Sequence, residues 1–197
     1  MKNQSFYAKR IQPLVFMAAV TIVCILLTAA LHLSTLDLVK ANEQFFLRRS
    51  VLDAAAITHD GQPMAVSALY EDLVSEQDGQ YSVRTADGKR RYVVESTGPG
   101  LWGPITIMIG FEENLQTLAG VAIVSQNETP GLGARIEEPW FTAQFAGKNG
   151  PFRLVEEGTA SAPDEIDAIT GATRTSESFR NIMNRVIAES GNISRGQ

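Results

Sequence analysis

Residues 167–176 read Asp167-Ala168-Ile169-Thr170-Gly171-Ala172-Thr173-Arg174-Thr175-Ser176, a turn of small residues running into a helix. The helix is set by Phe179, Ile182, Met183, Val186 and Ile187. Their spacing of i, i+3, i+4, i+7 and i+8 gives one apolar stripe. Four hydroxyl residues, Thr170, Thr173, Thr175 and Ser176, crowd the turn, and such residues cap the free N–H groups at a helix start. Gly171 and Ala172 keep the backbone open to close approach. A helix start with uncovered N–H groups and no bulky side chain in front suits an anion, phosphate best of all. On capping chemistry alone, the same stretch reads as a well-capped helix and nothing more.

Working upstream, Gly158 to Pro163 is an irregular connection, Arg153-Leu154-Val155 a short strand, and Glu138 to Ala146 a short helix with Trp140, Phe141 and Phe145 as its apolar contacts. Ser125 to Ala134 contains Pro130, Gly131 and Gly133, which predicts a shaped loop at a strand exit. Leu115 to Val124 is rich in Leu, Ala and Val, and Ile105, Ile107, Ile109 and Phe111 alternate. Two strands joined through Glu112-Glu113-Asn114 follow, the first with one face buried. Ser96 to Gly100 reads as a strand break. Tyr81–Thr85 and Arg91–Glu95 flank Asp87-Gly88, a hairpin signal. The elements predict an α+β fold with a mainly antiparallel sheet flanked by helices.

Further upstream, Leu69, Tyr70, Leu73 and Val74 suit a short helix. Leu38, Ala41, Phe45 and Leu52 form an imperfect helical stripe that serves equally as a connector or a partner-contact surface. From Ile11 to Leu36 there is no formal charge, enough for a helix to cross a bilayer. An uncleaved anchor is favoured over a signal peptide, because no small-x-small cleavage site follows. Lys2, Lys9 and Arg10 precede the span and Asp37 follows it, so the positive-inside rule puts the N-terminus in the cytoplasm and the rest outside.

The chain has 197 residues and a net charge of −5, with no basic patch to neutralise a nucleic acid. One cysteine, Cys24, excludes an internal disulfide or a Cys-rich iron–sulfur site. The two histidines, His32 and His59, lie far apart, and no metal site is expected. Redox work by this chain therefore needs an acquired cofactor. No Gly-x-Gly-x-x-Gly joins a strand to a helix, which argues against hydride transfer from a nicotinamide.

The stretch Asp167 to Thr175 resembles the flavinylation motif of the RnfG/NqrC family, whose members belong to membrane redox pumps. Glu128-Thr129-Pro130-Gly131-Leu132-Gly133, the pattern from Gly98 to Ile105 and the run Trp140 to Lys148 are similar to that family too, in the same order. In the family, a separate Mg-dependent flavin transferase takes FMN from FAD and esterifies its phosphate to the motif's last threonine. The resemblance assigns that role to Thr175, so this chain is the transferase's substrate and has no catalytic residue of its own. Asp167 then belongs to the pattern the transferase reads, and Thr170, Gly171, Ala172, Thr173 and Ser176 line the phosphate. Glu128, Thr129, Leu132 and Gly133 supply the ring-side loop. Trp102 and Trp140 stack on the ring or serve as core or partner contacts.

The implied organisation is a cytoplasmic N-terminus over residues 1–10, a transmembrane helix over 11–35, a helical connector over 36–75 and an extracytoplasmic FMN-binding domain over 76–197. The implied function is electron relay through covalent FMN in an Rnf-type, ferredoxin- and NAD-coupled ion-translocating complex of the cell (inner) membrane. Its partners are the membrane and the iron–sulfur and flavin subunits of that complex. The alternatives are the NqrC subunit of the Na+-translocating NADH:quinone reductase and a flavin-free scaffold protein of such a complex.

Overall fold

A computed structural model describes residues 10–77 and 79–192, so Lys2 and Lys9 lie outside the described residues. The chain divides after Gln44 into two compact units. The first helix, α1, runs without a break from Gln12 to Ala54. Its N-terminal half is long and apolar enough to cross a membrane. Within that half Leu14, Phe16, Leu26, Leu27 and Leu33 are all exposed, as suits a helix whose solvent is lipid rather than water.

The second unit is built on a five-stranded antiparallel sheet in sequence order: β1 (Val74–Gln77), β2 (Gln80–Arg84), β3 (Arg90–Pro99), β4 (Pro104–Phe111) and β5 (Leu118–Ser125). Helix α2 (Pro63–Leu73) leads into β1. The expected Asp87-Gly88 hairpin joins β2 to β3, with Arg84 opposite Arg90. Beyond β5 lie a 3-10 turn (Gly133–Glu137), the short α3 (Pro139–Ala143), and the strands β6 (Arg153–Val155) and β7 (Glu165–Asp167), which pair in parallel. The chain then enters α4 (Thr173–Glu189). The β7 strand was not visible in the sequence, since Glu165-Ile166-Asp167 is too short and too acidic to carry a period.

Both faces of β4 are buried, which corrects the expectation of one. Ile105, Ile107, Ile109 and Phe111 join Phe141, Phe145, Phe179, Ile182 and Met183 in the larger core under α4. Met108 points the other way, into a second core with Val51, Ala54, Ala55, Val83 and Val93. The second core exists because the last turns of α1, residues 45–54, lie across the sheet. They come close enough to touch backbone: a Cβ on Gly110 would stand 1.9 Å from the Ala54 carbonyl oxygen, and one on Gly120 2.9 Å from it. Gly110 and Gly120 face each other across β4 and β5, so the pair forms a smooth seat for the helix end. Arg91 secures that end, donating from Nη1 to the Ala55 carbonyl at 2.6 Å and pairing through Nη2 with Glu112 at 3.1 Å. A cation at a helix C-terminus satisfies orphan carbonyls and the dipole together.

Ser96 to Gly100 does not break the strand. β3 continues to Pro99, which stands opposite Pro104. The glycine there answers to packing: a Cβ on Gly98 would fall 2.4 Å from Cγ1 of Ile182 on α4.

Candidate functional site

The turn before α4 is where the sequence pattern and the structure meet. Gly171 takes a left-handed φ of 79°, which a residue with a Cβ rarely adopts. Helix α4 then starts after Ala172, and no side chain caps it. This overturns the capping expectation for all four hydroxyls. Thr170 and Thr173 are exposed. Ser176 is fully buried and works as a staple instead: its Oγ donates to the Ala172 carbonyl at 3.1 Å and accepts from the Ile169 N–H at 3.0 Å. The first turn's N–H groups therefore have no side-chain cap, the condition under which a helix start receives an anion. Arg174 is exposed on the same turn.

Thr175 is 1% exposed, and its Oγ1 donates to Oε2 of Glu128 at 2.5 Å. Glu128 is 5% exposed. Its other oxygen, Oε1, accepts the backbone N–H groups of Leu101 at 2.8 Å and Trp102 at 3.1 Å. One carboxylate thus joins three segments: the strand exit after β5, the β3–β4 connection and the start of α4. Glycines make the room. A Cβ on Gly100 would stand 2.5 Å from Glu128 Oε1, and one on Gly133 2.7 Å from Thr175 Oγ1 and 2.8 Å from Glu128 Oε2. Leu132, 44% exposed, lies over Gly171, where a Cβ would meet its Cδ2 at 3.1 Å. Of the residues singled out from sequence, Glu128, Leu132, Gly133, Gly171 and Thr175 therefore meet in one place.

The others are placed differently. Thr129 is exposed, and its carbonyl closes the loop by accepting the N–H groups of Leu132 and Ala134. Ala172 is buried at the helix start. Asp167 turns away from Thr175. Its Oδ1 accepts from the N–H groups of Thr159 and Ala160, at 3.0 and 2.8 Å, and so shapes the loop between β6 and β7. Trp102 is 71% exposed beside the exposed Leu101, while Trp140 is half-buried, against the larger core.

Two further residues hold the site and were missed in the sequence. Arg135 pairs with Glu157 at 3.0 Å and with Glu138 at 3.3 Å, and stacks over the Trp140 ring at 5.3 Å. Glu157 Oε2 in turn accepts the Thr170 N–H at 2.7 Å. The Arg135 guanidinium and that N–H hold the Glu157 carboxyl well below its usual range, at about 2. The pair spans 22 residues, and no local period or motif marks either member.

The geometry suits a phosphate-bearing flavin. An uncapped helix start and Arg174 match the anion, and Leu101, Trp102 and Leu132 offer exposed apolar surface next to it, as a ring site requires. The FMN-binding domain family matches residues 100–188, which include the Glu128 loop and the Thr175 turn. The matched residues lie in the α+β unit that follows the N-terminal apolar helix. The G subunit of the ion-translocating oxidoreductase complex of Methanosarcina acetivorans is 29% identical over 180 residues, 90% of each chain. The C subunit of the Na(+)-translocating NADH-quinone reductase of Vibrio anguillarum is 32% identical over 119 residues, 56% of this chain and 47% of that one. Its counterpart in Vibrio vulnificus strain YJ016 is 28% identical over 166 residues, 74% of this chain and 65% of that one. The chain thus spans 47% and 65% of the length of these two relatives. The crystal structure of the corresponding reductase protein, NqrC, from Parabacteroides distasonis superposes with a TM-score of 0.68 at 24% identity, over 80% of this chain and 96% of that one, and shows the same fold. The chain is thus similar to the G and C subunits of these complexes, and its residues 100–188 match the FMN-binding domain family.

Proposed function

We propose that this chain is the membrane-anchored, electron-carrying FMN protein of an ion-translocating oxidoreductase complex of Rnf type, with FMN joined by a phosphoester to Thr175. The observation that carries the reading is Thr175 itself. It is the motif threonine whose hydroxyl is held at an uncapped helix start and aimed by a buried carboxylate. The motif's other two threonines, Thr170 and Thr173, stand exposed, outside that arrangement.

The phosphate sits at the first turn of α4, beside Arg174, where the N–H groups and helix dipole favour negative charge. Leu101, Trp102 and Leu132 form the apolar wall for the ring. Bound FMN would supply reversible redox chemistry that a chain with a single cysteine cannot provide through a dithiol couple. The tether keeps the ring in place where no free flavin pool refills an empty site by mass action. Asp167 belongs to the transferase's recognition pattern through the loop it shapes. The organisation is a cytoplasmic segment over residues 1–10, a span over 11–35, a connector over 36–75 and an extracytoplasmic domain over 76–197.

What supports the RnfG reading over the NqrC one is the extent of the match along this chain: the Methanosarcina relative aligns over 90% of it, the Vibrio relatives over 56% and 74%. The test is expression with the flavin transferase, followed by denaturing electrophoresis. The wild-type band is expected to fluoresce as a flavoprotein, and Thr175→Val to be dark. A fluorescent Thr175→Val band, or a dark wild type, refutes the attachment. Co-purification with a protein bearing a ferredoxin-type Cys-rich sequence supports the Rnf assignment, and purification with the NADH:quinone reductase overturns it.

A further inference from the structure

A threonine hydroxyl is a poor nucleophile until a base takes its proton, and nothing near Thr175 in the sequence supplies one. The fold does, from 47 residues away, in Glu128. We propose that Glu128 is the general base of the attachment reaction, so that the acceptor chain carries the group that activates its own threonine. The inference rests on the reading of Thr175 as the attachment residue.

Three features argue for a base rather than a simple structural tie. First, Oε2 is within direct hydrogen-bond reach of the reacting oxygen, as a general base must be. Second, the two carboxylate oxygens have separate duties. Oε1 is fixed by the Leu101 and Trp102 N–H groups, which sets the plane of the carboxylate and aims Oε2 at Thr175. Third, the carboxylate is closely surrounded, since neither Gly100 nor Gly133 leaves space beside it for even a methyl.

The step balances without any change in oxidation state. Thr175 Oγ1 attacks the flavin-side phosphorus of a flavin adenine dinucleotide. The new O–P bond forms as the bond from that phosphorus to the AMP oxygen breaks, and AMP leaves. The hydroxyl proton passes to Glu128 Oε2 and from there to solvent.

Thr175 is buried, so transfer requires a local opening at this turn; Glu128 Oε1 is anchored on the β3–β4 connection, a different segment from the turn that carries Thr175.

The experiment uses the full chain in detergent with purified flavin transferase, Mg2+ and FAD, and follows intact mass under single-turnover conditions across a pH series. Wild type, Glu128→Gln, Glu128→Asp and Thr175→Val are compared, and each is first checked for a cooperative melt. General-base help is worth roughly 10²–10⁴ in rate. Glu128→Gln is expected to label about 100-fold more slowly. Glu128→Asp, one methylene short but still a carboxylate, is expected to label at a rate between those of Glu128→Gln and wild type. Labelling of Glu128→Gln at the wild-type rate or faster overturns the proposal, since the carboxylate then only shields the hydroxyl. Should Glu128→Gln fail to melt cooperatively, Glu128→Asp decides, and a wild-type rate there overturns it too. A wild type that gains no mass, or a Thr175→Val that does, brings down the attachment reading instead.

Discussion

Replacing Gly110 by alanine tests how α1 is joined to the sheet. The new Cβ would lie 1.9 Å from the Ala54 oxygen and 2.6 Å from its carbonyl carbon, both backbone atoms. Ordinary contact begins near 3.4 Å, so the end of α1 must lift by more than an ångström. No rotamer change relieves the clash, as it would if the obstacle were a flexible side chain. Lifting the helix loosens Val51, Leu52, Ala54 and Ala55, all fully buried. Overpacking costs about 1–3 kcal/mol in ordinary cores. Partial exposure of Val51 and Leu52 adds to this, at roughly 1.5–3 kcal/mol for each fully exposed side chain. The expected loss is about 3–5 kcal/mol, a large part of a typical domain's stability. Urea unfolding followed by tryptophan fluorescence reads it as a lower midpoint at unchanged slope. Gly120→Ala, with its nearest backbone atoms at 2.9 and 3.1 Å, is expected to cost less. A Gly110→Ala chain within about 0.5 kcal/mol of wild type, or one more stable than Gly120→Ala, refutes the seat.

Three further outcomes follow from named contacts. Arg91→Gln withdraws the cation from the Ala55 carbonyl and from Glu112; a cost of about 1–3 kcal/mol is expected in the same urea assay, with proteolytic cutting at residues 55–62 increased. Ser176→Ala removes the acceptor of the Ile169 N–H in a fully buried position, so a loss of about 1–3 kcal/mol is expected while the Thr175 hydroxyl remains. Glu157 titrates at about 2 in the folded chain against an ordinary 4.5. Its contribution is complete above pH 4.5 and is lost as pH falls from there towards 2. Glu157→Gln should therefore flatten the melting temperature's decline across that window, and a decline parallel to wild type would show that the Arg135 pair does not matter.

Elements with a period were legible in the sequence. The α4 stripe, the Asp87-Gly88 hairpin and the alternation of β4 all rest on local spacing, and a local signal suffices for them. What failed needed tertiary information. The Gly98–Pro99 step looks like a break because glycine and proline usually end strands, yet here the glycine makes room for Ile182. Hydroxyls before a helix look like caps, yet Thr175 and Ser176 turn inward because Glu128 and the Ile169 N–H wait there. Glu128 was visible as part of a loop motif, but its partnership with Thr175 was not. Arg135 and Glu157 were invisible for the same reason, since each means something only when folded against the other.

The central claim is that one particular threonine carries the flavin, and trypsin can isolate it. Cleavage after Arg174 and Arg180 releases the fragment from Thr175 to Arg180, while Thr170 and Thr173 leave on the fragment that starts at Leu154. Fragment masses from chain purified out of its native membrane then decide the matter. The account predicts an FMN phosphoester on the Thr175 fragment and an unmodified Leu154 fragment. An unmodified Thr175 fragment, with or without flavin elsewhere in the chain, contradicts it.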